Sequence, residues 1–126
     1  MGEPIKSFRD LKVWQKAMDA AMDIYALTLN FPKDERYALS DQIRRSSRSV
    51  AANIAEAWHK RRYPAHWISK LSDSQSEAAE TQTHLEFALR CRYIDSSTVE
   101  RLNALYEEIF AMLSDMSAHP DQWRLK

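Results

Sequence analysis

The chain has 126 residues, of which 44% are apolar and 29% charged. That supplies one core and enough charge for solubility; it excludes disordered and membrane-spanning compositions and leaves no length for two full domains. Lys plus Arg (18) balances Asp plus Glu (18), so any nucleic-acid site must be a local patch rather than a whole-molecule field.

The single cysteine, Cys91, cannot form an internal disulfide, which fits a reducing cytoplasm. The start of the chain has no apolar leader, no stretch approaches a spanning helix, and Lys6 stands where a Met1-Gly2 myristoylation signal needs Ser or Thr. The only glycine is Gly2, which removes phosphate loops, dinucleotide turns and tight hairpins and leaves helices as the default. Pro4, Pro32, Pro64 and Pro120 then act as punctuation.

The first helix is expected over about 8–30, with Ser7 and Asp10 as a capping box. Its apolar residues form two seams, Leu11, Trp14, Met18, Ala21, Tyr25 and Val13, Ala17, Ala20, Ile24, Leu27. So wide a face exceeds one core's need and predicts contact with another subunit. Trp58, Trp67 and Trp123, near helix ends, point the same way.

The second helix spans about 35–62, with a stripe of Leu39, Ile43, Val50, Ile54 and Trp58 and a small-residue centre around Ser46, Ser47, Ala51 and Ala55 that admits a close neighbour. The third runs over about 64–92; Ser72 to His84 supplies only Ala78 and Ala79, so its inward face must be small and partly polar. The fourth covers about 97–118, with Val99, Leu102, Tyr106, Ile109, Leu113 and Met116 spaced three and four apart, Ser97 and Glu100 as a capping box, and Pro120 as its stop. Short connections make the fold an all-α, antiparallel up-down-up-down four-helix bundle, a single domain over 1–126.

Charge concentrates on the second helix. Between Asp34 and Arg62, Arg36, Arg44, Arg45, Arg48, Lys60, Arg61 and Arg62 outnumber Asp34, Glu35, Asp41 and Glu56 by three. Guanidinium forks at this spacing suit phosphates. Antiparallel pairing sets Arg44 level with Glu80 and Arg48 level with Glu77, and ion pairs there would consume that part of the patch. Lys60, Arg61 and Arg62 have no acidic counterpart and are the cations expected to be free.

Glu56-Ala57-Trp58-His59 matches one Glu-x-x-His element of di-iron bundles, which need two, and Glu80 and His84 share a face. His66 and His119 lack acidic partners at ligand spacing, and Cys91 has no adjacent base. The expectation is therefore a non-enzymatic protein with no metal and no cofactor.

Phe31-Pro32-Lys33-Asp34-Glu35-Arg36-Tyr37, then Leu39, Gln42, Ile43, Arg44, Arg45 and Ser49, then Asn53-Ile54-Ala55-Glu56, resemble the pattern of the four-helix-bundle family encoded in intervening sequences of 23S ribosomal RNA genes. Phe8 to Met18 resembles its opening, and Glu80-Thr81-Gln82, Leu85 and Tyr93-Ile94 its third helix. Ala51 and Ala57 replace a frequent Pro and Gly, which predicts a straighter second helix. The resemblance implies a barrel-shaped homopentamer in the cytoplasm and, by likeness to the accessory variability determinant of diversity-generating retroelements, binding to RNA or DNA and to a reverse transcriptase. Arg44 and Arg45 fall on matched basic positions. Asn53, Glu56, Gln42, Glu77 and Glu80 are expected to form a structural polar network between helices. The alternative is an oligomeric protein-interaction scaffold that binds no nucleic acid. No membrane contact is expected.

Overall fold

The computed structural model describes residues 4–125; Met1, Gly2, Glu3 and Lys126, with the sequence expectation for Met1-Gly2, lie outside them. The described residues are helical, with no strand among them: α1 is Lys12–Thr28, α2 Leu39–His59, α3 Pro64–Arg90, α4 Ser96–Ala118 and α5 Pro120–Trp123. Cross-links between neighbours fix the directions. Ser74 on α3 donates to the carbonyl of Val50 on α2, and Lys70 pairs with Glu56. Trp67 on α3 meets Met116 on α4, and Gln82 meets Glu107. Lys16 and Asp23 on α1 pair with Glu108 and Arg101 on α4. Each long helix thus runs antiparallel to its two neighbours, up-down-up-down around one core.

The stripes read from sequence are the ones buried. Leu39, Ile43, Val50, Ile54 and Trp58 on α2 and all six seam residues of α4 belong to the core. The middle of α3 is small and polar as expected, with Ser74, Ala78 and Thr81 fully enclosed. Thr81 Oγ1 lies 2.8 Å from Ser46 Oγ, and Ser74 Oγ donates to Val50 O at 2.8 Å. These bonds satisfy the hydroxyls that let α2 and α3 approach closely.

The structure departs from the sequence expectations at helix ends, where backbone needs outrank periodicity. The Ser7–Asp10 capping box forms, yet it caps a 3-10 turn at Phe8–Asp10; Leu11 then turns extended and buries itself before α1 starts. Residues Lys33–Glu35 make another 3-10 turn, so α2 starts at Leu39. The cap of α4 is Asp95, not Ser97: its carboxylate accepts from Thr98 N at 2.8 Å and from Ser97 Oγ at 3.1 Å. The tryptophans also differ from the sequence expectation. Trp58 and Trp67 are buried within the chain, and Trp123 on α5 stacks on Trp67 at 5.7 Å, so none of these rings calls for another subunit.

α3 ends in a Schellman motif, with Tyr93 N donating to Ala88 O and Arg92 N to Leu89 O. The left-handed position falls on Arg92 at φ 63°, where a glycine is usual. Tyr93 then anchors this end by donating its hydroxyl to Glu35 at 2.9 Å, which, with some burial, pushes the Tyr93 phenol up to about 12. A left-handed residue with a Cβ costs about 1 kcal/mol. Arg92→Gly is therefore expected to raise the thermal midpoint by a few degrees, measurable by circular dichroism.

Candidate nucleic-acid interface

The six basic residues singled out on and after α2 divide by what already holds them. Arg44 turns toward α1, where Nε donates to Thr28 Oγ1 at 2.7 Å and the guanidinium lies 4.9 Å from the centre of the Tyr25 ring. Arg61 folds back on α2, with Nη1 donating to Trp58 O at 2.7 Å and its guanidinium 3.6 Å from the Trp58 ring centre. That bond satisfies a carbonyl at the negative end of the helix dipole, and partial desolvation lowers the Arg61 pKa. Arg61 is therefore not the free cation that the sequence predicts. Arg45 lines a groove between α2 and α3 beside Glu77.

Arg48, Lys60 and Arg62 are exposed, and among the described residues no hydrogen bond, ion pair or aromatic ring engages their side chains. Arg48 and the end of α2 are eleven helical positions apart, roughly 17 Å at 1.5 Å per residue. Of the six, these three and Arg45, which is also exposed and makes no hydrogen bond or ion pair among the described residues, are available to an external anion.

The expected ion pairs of Arg44, Arg45 and Arg48 with Glu77 and Glu80 do not form. Among the described residues no nitrogen of these arginines comes within ion-pair distance of either carboxylate. The interhelical level agrees with the sequence expectation, as the Ser74–Val50 and Lys70–Glu56 contacts show. The azimuth differs for Arg44, which is turned to Thr28 and Tyr25 of α1, while Glu77 and Glu80 line the α2–α3 groove with Arg45. Partial burial, with the Glu80 carboxylate close by, raises the carboxyl pKa of Glu77.

The expected polar network is dispersed. Asn53 Nδ2 donates back to Ser49 O at 2.9 Å within α2. Glu56 is exposed and bonds Lys70 at 2.8 Å, which lowers the Glu56 pKa and raises that of Lys70. Gln42 is exposed at the groove. The buried polar links are instead Ser46–Thr81 and Ser74–Val50. Among the described residues no three His, Cys, Asp or Glu side chains converge on a metal-sized site. His59 packs edge-on against Phe8 and Cys91 is exposed; His119, against the sequence expectation, has an acidic neighbour one turn back, with Nδ1 3.0 Å from Asp115 O and 3.5 Å from Asp115 Oδ1.

A second surface runs along α1. Met18, Met22, Tyr25 and Leu29 recur at helical spacing on its outward side, with Met22 58% and Leu29 62% exposed. Met22 and Leu29 lie outside the two seams read from sequence, although the spacing from Met18 to Leu29 already carries the signal. As seats for Arg44 and Arg61, Tyr25 and Trp58 are not apparent from the sequence either; only the Trp58–Arg61 spacing of three hints at one of them.

These features define an all-α helical bundle with two surface elements, a set of unengaged cations on and just after α2 and an apolar stripe on α1. The chain belongs to the 23S rRNA-intervening sequence protein family, whose model matches residues 9–115. Among solved structures it is similar to a protein of unknown function from the S23 ribosomal protein family of Bacteroides thetaiotaomicron VPI-5482, at 32% identity and a TM-score of 0.75 over 84% of this chain and 95% of that one. No curated protein matches it. Among the described residues, no helix is long and apolar enough to cross a membrane.

Proposed function

We propose that this protein is a non-enzymatic homo-oligomer with an accessory role on RNA or DNA, contacting phosphates through Arg48, Lys60 and Arg62. The observation that carries this reading is that these three cations are exposed and unengaged, so they pair a phosphate without first breaking an internal bond. Repetition around an oligomer multiplies such weak contacts into avidity, which compensates for a net charge of zero. The α1 stripe supplies the assembly surface, and a count of five rests on the family resemblance alone.

The test is filter binding of a structured RNA and of duplex DNA across a salt series. Log affinity should fall linearly with log salt, and Arg48→Glu with Arg62→Glu should weaken binding and flatten the slope by about one for each phosphate left without its cation. Arg44→Gln, at a residue already seated on Tyr25, should leave the slope unchanged. The second reading, an oligomeric protein-interaction scaffold, is favoured by the apolar stripe beside Arg44. Wild-type protein that binds neither nucleic acid at low salt would decide for it.

A further inference from the structure

Between α2 and α3 the chain turns through a stretch that carries cations and aromatic rings and no carboxylate. From Ala57 to Ser72 there is no Asp or Glu, while Lys60, Arg61, Arg62 and Lys70 fall within it. The carboxylates that bracket it, Glu56 and Asp73, both lie on Lys70, at 2.8 and 3.7 Å, and so neutralise the cation set back from the turn. Arg61 is folded onto Trp58. Lys60 and Arg62 are left, exposed and unengaged, on either side of it.

A ring stands beside them. Tyr63 follows Arg62 directly, and its N donates to Lys60 O at 3.0 Å, so the turn holds Lys60 and Tyr63 within about 7 Å of each other at the backbone. The Tyr63 side chain is 58% exposed and takes no part in the core. Its one aromatic contact is with His66, itself exposed, at 5.6 Å between ring centres and 49° between planes, which leaves most of the phenol ring to solvent. What Tyr63 does for the fold runs through its backbone: His66 N and Trp67 N donate to its carbonyl at 2.9 and 3.0 Å and start α3.

A flat exposed ring flanked by two free cations is what an unpaired nucleotide stretch calls for, since the base stacks on the ring and the phosphates on either side pair with the cations. A duplex offers the same phosphates but keeps the faces of its bases covered by their neighbours, so it would use Lys60 and Arg62 and leave Tyr63 idle. We infer that the α2–α3 turn binds an unpaired stretch of nucleic acid, with one base stacked on Tyr63 and the adjoining phosphates on Lys60 and Arg62. The inference rests on the phosphate contacts proposed above and adds to them a single-stranded ligand and the side chain that selects it.

The experiment measures, by fluorescence anisotropy at low salt, how the full chain binds labelled strands of about 12 nucleotides. The probes are oligouridylate, oligothymidylate, an abasic strand with the same number of phosphates, and an RNA duplex of the same length. The tighter of the two base-bearing strands should bind about tenfold more tightly than the abasic one, and which of them it is names the source as RNA or DNA. Tyr63→Ala should lose that tenfold without changing the salt slope, because no cation is removed, and should bind the abasic strand and the duplex as the wild type does. Tyr63→Phe keeps the ring and should keep the affinity. An abasic strand bound as tightly as both base-bearing strands, or a Tyr63→Ala variant that binds those strands like the wild type, would overturn the stacking while leaving the phosphate contacts standing. Absence of binding to every probe would overturn both together. The comparison with the abasic strand needs only wild-type protein, so the test stands even where Tyr63→Ala folds poorly.

Discussion

Trp67→Ala is expected to remove about 3–5 kcal/mol of stability, at least a fifth of the roughly 5–15 kcal/mol that a domain usually has. Trp67 is 1% exposed and is among the largest fully buried side chains of the bundle. It sits in the first turn of α3, where Pro64 sets the helix start, and it touches two other elements. Its indole Nε1 donates to Met116 O near the end of α4 at 3.1 Å, and its ring stacks on Trp123 of α5 at an interplanar angle of 25°. Truncation therefore leaves a cavity, an unpaired buried carbonyl and a loose α5 together. Trp67→Phe separates these contributions, since it keeps a ring for Trp123 and loses the hydrogen bond, and should cost about 1–3 kcal/mol. Trp123→Ala should cost less than either, because Trp123 is only half-buried and its loss opens no core cavity. Urea denaturation followed by far-ultraviolet circular dichroism ranks the three; an alanine variant as stable as wild type would mean that α5 and the α4 end repack freely.

What is legible in the sequence, and what is not, follows from how each property depends on distance along the chain. The α4 seam is readable because a helix that buries one face repeats apolar residues every three or four positions, and Val99 through Met116 do so without a gap. The small polar middle of α3 is readable by elimination, since Ser74, Ala78 and Thr81 are what that stretch has to offer the core. Helix ends are harder because several groups compete for one cap. Asp95 wins over Ser97, and the residue forced to φ 63° is an arginine, which no propensity rule would place there. The arginines are harder still. Register follows from chain length and turn position, so the sequence sets Arg44 and Glu80 at the right level, but whether two groups at one level meet depends on their angle about each helix. A flexible side chain then chooses among neighbours: Arg44 takes the Tyr25 ring and Thr28, and Arg61 takes Trp58. A count of charges cannot foresee either choice, yet these choices decide which cations are left for a phosphate.

Met22→Glu combined with Leu29→Glu is expected to reduce the proposed assembly to single chains of 14.7 kDa. Met22 and Leu29 are the two most exposed residues of the α1 stripe, and neither touches the core, so the fold has little to lose from their replacement. Ala17, Ala20 and Ile24, on the inward side of α1, keep the helix in place. In an assembly the same two positions would be covered in every copy, and a carboxylate there would be desolvated without a cation to pair it, at a cost of several kcal/mol per site. That is enough to shift the association constant by orders of magnitude. Arg44 tests the specificity of this argument, because a glutamate at position 22 or 29 that reached it would gain a partner; its guanidinium is already held by Thr28 and Tyr25, so the rescue should be small. Light scattering at micromolar concentration reads the mass, and far-ultraviolet circular dichroism confirms that the helices persist. Wild-type protein that already runs as a single chain would refute the assembly, and a double variant that keeps the wild-type mass would place the contact on another face of the bundle.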